Sequence, residues 1–167
     1  MNKNELRTMT IGINNLLSEY IQLHDSLLKN QETLSSLMNS IFKLFRLSIM
    51  ENPLKNSLEN DYQDSYSATE LLLSKFDVKH QELKTLSRKS DDQGLVNYYD
   101  CLLGYFNALH ETVRILHVRQ GMRLVIQKGE KLSWSEYKSV EKNYKTNIKK
   151  HLILGRELNK MTHLVFN

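Results

Sequence analysis

Between Leu6 and Leu44 the seam residues recur at steps of three and four: Leu6, Met9, Ile13, Leu16, Tyr20, Leu23, Leu27, Asn30, Leu34, Leu37, Ile41 and Leu44. A register of this kind, held over about five heptads, specifies a long helix with one continuous packing seam. It excludes a fold built from short strands. The one polar member, Asn30, stands where a buried Asn fixes register or partner number. Leu17, Leu28, Met38 and Phe45 flank the seam and widen it, so the helix is expected to pack against more than one neighbour. Roughly 45 helical residues would span about 68 Å, which predicts an elongated molecule.

The rest of the chain agrees with this reading. One Pro and 6 Gly in 167 residues leave little of the punctuation that sheets and their turns consume. Pro53, within a polar stretch from Glu51 to Gln63, marks the first expected inter-helix loop. A second helical pattern starts near Tyr62 with Tyr66, Leu72, Leu73, Phe76, Leu83 and Leu86. The polar run Ser87–Gly94 interrupts it, as either a loop or a bend. The pattern then resumes with Leu95, Tyr99, Leu102, Phe106, Leu109, Val113 and Leu116 and fades near Gly129. We read one long helix bent near Gly94. A third helix opens at the capping box Ser133-Trp134-Ser135-Glu136 and continues through Tyr137, Val140, Tyr144, Ile148, His151, Leu154, Leu158, Met161 and Val165. The expected fold is therefore all-α: an elongated antiparallel three-helix coiled-coil bundle, one domain over 1–167.

Charge is unevenly spread. Residues 1–100 carry 11 Lys and Arg against 14 Asp and Glu, whereas residues 101–167 carry 12 against 5. The basic half points to phosphate-bearing counterparts, either lipid headgroups or nucleic acid. Lys138, Lys142, Lys145 and Lys149 share the face of the third helix opposite its apolar seam, and Glu141 points elsewhere on the wheel. Arg114, Arg119, Arg123, Lys128 and Lys131 cluster towards the end of the second helix. These nine residues form the candidate membrane-binding set. No stretch approaches the roughly 20 apolar residues of a membrane span, and the segment MNKNELRTMTIG lacks the apolar run of a signal peptide. A lone cysteine, Cys101, fits a reducing compartment. These features predict a soluble, cytoplasmic protein.

Motifs of catalysis are sparse. No phosphate loop, nucleophile elbow or HExxH occurs. His110 and His117 could share a helix face but have no carboxylate or cysteine at ligand spacing beside them, and His24, His80 and His151 read as packed seam residues, so neither metal nor cofactor is expected. Cys101 reads as an inert buried thiol. One enzymatic pattern remains: Arg156, six intervening residues and His163 on a late helix resemble the motif of HEPN ribonucleases. In that family the Arg and His meet across a dimer interface to cleave RNA, the Arg holding the phosphate and the His moving a proton.

A second resemblance is carried by the helix order and by two segments, Gly94-Leu95-Val96-Asn97-Tyr98-Tyr99-Asp100-Cys101-Leu102-Leu103-Gly104-Tyr105 and Val113-Arg114-Ile115-Leu116-His117-Val118-Arg119-Gln120-Gly121-Met122-Arg123. Arg156-Glu157-Leu158-Asn159-Lys160-Met161-Thr162-His163-Leu164 adds a third. Together these resemble the BAR domain of fungal sorting nexins that act in endosomal recycling and autophagy. The resemblance implies a non-enzymatic scaffold, peripheral on endosomal membrane, that binds anionic, phosphoinositide-containing lipid and senses curvature. Sorting nexins place a PX domain before the BAR region, so the chain reads as an isolated or truncated BAR-like module. A homodimer, or a heterodimer with a related BAR protein, follows, with no nucleic-acid partner. The expected dimer seam comprises Leu27, Asn30, Leu34, Leu37, Ile41, Leu102, Phe106 and Leu109. A plain coiled-coil adaptor would need the seam alone.

Overall fold

The computed structural model describes residues 2–44, 53–86, 90–128 and 130–166, with side chains described for all of these except 30–44, 53–61 and 127. The described residues form four α-helices and no strand: α1 (Lys3–Leu44), α2 (Pro53–Thr85), α3 (Gln93–Gln127) and α4 (Trp134–Phe166). The chain is all-α, as the periodicity demanded.

Cross-links between helices give the topology. Glu19 on α1 meets Lys75 on α2 at 2.6 Å, and a Cβ on Gly12 would lie 3.2 Å from Lys79 Nζ. Residue numbers rise on one helix as they fall on the other, so α1 and α2 are antiparallel. The same holds for α2 and α3, where the Tyr99 hydroxyl donates to the Leu83 carbonyl at 2.9 Å and the Thr69 hydroxyl meets His117 Nδ1 at 3.1 Å. It holds again for α3 and α4, where Tyr98 meets Thr162 at 3.4 Å and Thr112 meets His151 at 3.2 Å. The result is an up-down-up-down bundle of neighbours joined in sequence order.

The expected second helix is two helices. Within one helix the 16 residues from Leu83 to Tyr99 would span about 24 Å, yet the two are hydrogen-bonded. The chain direction reverses between the end of α2 and the start of α3. Asp92 drives the restart: its carboxylate accepts from the backbone N–H groups of Gly94 at 2.8 Å and Leu95 at 3.3 Å. These are among the first N–H groups of α3, which no helical carbonyl can reach. The expected loop over Glu51–Gln63 is also shorter than the composition suggested, because α2 already starts at Pro53. Proline is well placed at a first helical position, where its missing N–H would have had no partner.

The described part of the α1 seam is buried as its register predicts at Leu6, Met9, Ile13, Leu16, Tyr20 and Leu27, and half-buried at Leu23. Its partner is the chain's own α2 and α3. Of the expected dimer seam, Leu27, Leu102, Phe106 and Leu109 are buried within this chain, the last three completely. They are not free to hold a second chain. Asn30, Leu34, Leu37 and Ile41 lie outside the described side chains. Helix α3 packs against all three other helices. That is why its apolar residues occupy several faces rather than one.

Candidate functional site

The α3–α4 end of the bundle carries the basic surface. Helix α4 starts where the capping pattern placed it: the Ser133 hydroxyl accepts from the Glu136 N–H at 3.5 Å, and the Ser133 carbonyl accepts from the Tyr137 N–H at 3.1 Å. Tyr144, His151 and Leu158 face inward and are buried. That inward face fixes the opposite one, and Lys138, Lys142, Lys145 and Lys149 are all exposed along it. Lys128, which caps the end of α3, and Lys131 in the following turn are exposed as well.

Three of the nine expected cations are placed differently from the rest. Arg119 is buried, with its Nε bonded to the Glu141 carboxylate and its guanidinium 5.3 Å from the centre of the Tyr144 ring. It is a structural link between α3 and α4 and has no place on a membrane-binding surface. Its position was readable in the sequence: the buried steps of α3 run through Leu109, Val113 and Leu116 to Arg119 and Gln120. Its partner was not, because Glu141 sits 22 residues away on the next helix. Arg114 is exposed but doubly bonded to Glu111, at 2.7 Å from both Nε and Nη2. That fork holds the Glu111 carboxyl below its ordinary range and neutralises much of the Arg114 charge locally. Arg123 is half-buried. Of the nine, the exposed cations outside these carboxylate pairs are therefore Lys128, Lys131, Lys138, Lys142, Lys145 and Lys149.

The structure adds a residue that the lysine spacing alone did not single out. Trp134, the only tryptophan, is 65% exposed. Its ring stacks on Tyr137 at 5.6 Å, and Lys138 Nζ lies 5.3 Å from the ring centre. Trp134 is four residues before Lys138, so the helical step that defines the stripe also puts the indole on it. Ile126, at the same end of the bundle, is 48% exposed. An aromatic and an aliphatic side chain thus stand in water beside a set of lysines.

No family model, curated protein or solved structure matches this chain. The geometry is what bears on function.

Behind the lysine face lies a polar layer between α1, α3 and α4. The Tyr20 and Tyr144 hydroxyls are 3.0 Å apart, and the rings of His24 and His151 pack around them at 5.8–6.1 Å. Burial pushes both tyrosines up and both histidines down from their ordinary pKa values. All four groups are therefore held neutral near pH 7. On the α2 side, His110 Nε2 meets Asp77 at 2.9 Å, with the His80 ring 5.1 Å away. This pairing is not visible along the chain, because Asp77 belongs to the neighbouring helix. Among the described residues, no three His, Cys, Asp or Glu side chains converge to hold a metal. Cys101 is half-buried, and burial raises its thiol pKa. Arg156 and His163 are both exposed on α4, two turns apart. No described helix is long and apolar enough to cross a membrane.

Proposed function

We propose that the protein is a non-enzymatic helical module that docks on anionic membrane through the α3–α4 end of the bundle and the lysine face of α4. The observation that supports this reading is Trp134, exposed among lysines. An indole left in water at the tip of a hairpin suits the headgroup zone of a bilayer, where an apolar body and a polar N–H are both accommodated. Stable surface binding needs two signals, apolar insertion and basic attraction. Trp134 with Ile126 supplies the first, and the six exposed lysines supply the second. Each lysine near an anionic leaflet contributes about 1 kcal/mol.

This keeps the anionic-membrane part of the sorting-nexin expectation. It leaves out the dimeric crescent, because Leu102, Phe106 and Leu109 belong to the chain's own core. Nucleic acid would also meet lysines and a stacking ring. It offers nothing, however, that would favour the exposure of Ile126.

Co-sedimentation with phosphatidylcholine vesicles, with and without phosphatidylserine, tests the reading. Binding is expected only to the anionic vesicles and is lost in 1 M salt, where the Debye length falls to about 3 Å. Lys142→Glu with Lys149→Glu abolishes it while helicity is unchanged, and Trp134→Ala weakens it several-fold. If the double reversal binds as well as the parent, this face does not bind membrane. RNA cleavage that is lost in His163→Ala would replace the reading with the ribonuclease alternative.

A further inference from the structure

Among the described residues, α1 and α4 are not closely packed backbone to backbone. The Tyr20–Tyr144 hydroxyl pair bridges them towards one end. At the other, Tyr98 bonds Thr10 at 2.9 Å and Thr162 at 3.4 Å. Between these bridges a groove of about 530 Å³ opens to solvent. That volume lies within the range of small-molecule sites.

Its depth has a local cause. Gly155 on α4 lies under the Tyr105 ring of α3, and a Cβ there would stand 3.1 Å from Tyr105 Cε2. With no side chain at 155, the ring forms a flat floor. The walls are apolar, with Leu17 and Ile21 from α1 facing Ile148 and Leu152 from α4. Ile21 is 47% and Leu152 52% exposed, so both walls present apolar surface to water.

The polar groups have one sign. Arg156 stands on the lip, exposed, with no ion-pair partner among the described residues. No carboxylate lines the groove. The amides of Asn14 and Asn159 sit on its rim, and His24 and His151 are kept neutral by burial. Arg156 therefore carries the only formal charge.

We propose that this groove binds an amphipathic monoanion of the fatty-acid class, its chain between Ile21 and Leu152 over the Tyr105 ring and its carboxylate on Arg156. An apolar trough with a single cation at one lip complements an apolar body with a single anion at its head. A guanidinium suits the task because it grips a carboxylate with two parallel N–H bonds. The Asn14 and Asn159 amides supply further donors at that end. This site is separate from the lysine face and does not rest on the membrane reading.

Titration calorimetry of the full chain with dodecanoate, below its micellar concentration and without vesicles, tests the proposal. Saturable binding at one site is expected, and dodecanol should bind at least tenfold more weakly. Arg156→Glu should weaken dodecanoate binding by at least tenfold, while Lys150→Glu, the same charge change on another face of α4, should leave it unchanged. Leu152→Asp should abolish binding without loss of helicity, since Leu152 is half exposed. Absence of saturable binding overturns the proposal, as does equal affinity for dodecanol or an equal effect of the two charge reversals. A concentration-dependent dimer that Leu152→Asp dissociates, in a protein that ignores dodecanoate, would give the groove to a second copy instead.

Discussion

Arg119 and Glu141 form a pair whose side chains are 10% and 21% exposed, and the Tyr144 ring covers the guanidinium. Burying two charges is unfavourable unless each satisfies the other, and removing one leaves the second stranded. Glu141→Gln is expected to lower unfolding free energy by about 3 kcal/mol, read from urea denaturation. Removal of an exposed pair such as Lys75–Glu19 should cost under about 1 kcal/mol. One buried histidine, His151, and two half-buried ones, His24 and His80, set a pH dependence. Burial lowers the pKa of His24, His80 and His151; Arg119 adds to this at His24, against the opposing pull of Asp25, and Lys84 and His110 add to it at His80. The Thr112 hydroxyl and the Tyr20 ring, both uncharged, face His151. Below about pH 6.5 the unfolded chain takes up protons that the folded chain resists. Stability is therefore complete above that pH and falls as pH drops towards 5. Glu111, whose pKa is also depressed, acts in the same direction but only at lower pH. Thermal midpoints at pH 7.5, 6.5 and 5.5 should decrease in that order, and less steeply in His151→Leu. A flat profile would show that these rings titrate freely in the fold.

Helix ends decided what the sequence revealed. Ser133 and Glu136 gave the start of α4 because the cap is local, and the α1 register gave its buried face because periodicity is local too. The start of α1 is set by another local pair, which the pattern reading passed over. The Asn2 side chain accepts from the Glu5 N–H at 2.9 Å, and Glu5 accepts from the Asn2 N–H at 2.7 Å. The break between α2 and α3 was read as a bend because a polar run at a helix surface and a polar run in a turn look alike. Asp92 was the discriminating residue: an aspartate just before a resumed apolar pattern, with Gly94 behind it, is an N-cap signal. Asp92→Ala is expected to cost about 1 kcal/mol and to fray the first turn of α3, visible as loss of amide protection at Gly94 and Leu95. Of the candidate site, the lysine face was legible for the same reason of periodicity. The bridge from Arg119 to Glu141 and the α1–α4 groove were not, since each depends on which helices lie side by side.

At the scale of the whole molecule, the described core is built from the chain's own helices. A seam shared between chains would make stability depend on protein concentration. Leu109→Ala and Leu102→Ala are each expected to cost about 2–5 kcal/mol, with unfolding midpoints that do not move between micromolar and tenfold higher concentration. A midpoint that rises with concentration would return these residues to an interface. Helix α3 packs closely against α1, α2 and α4, and its partners α2 and α4 precede and follow it directly in the chain. Contacts of this kind are local in sequence and close without gathering distant segments, which favours fast folding. Helix α1 is joined to the rest through α2 and fewer shared contacts, with the groove along its α4 side. The bundle therefore has an order of release. Under native conditions α1 should exchange its amide hydrogens by a smaller opening than α3, whose amides are freed only when the whole chain unfolds.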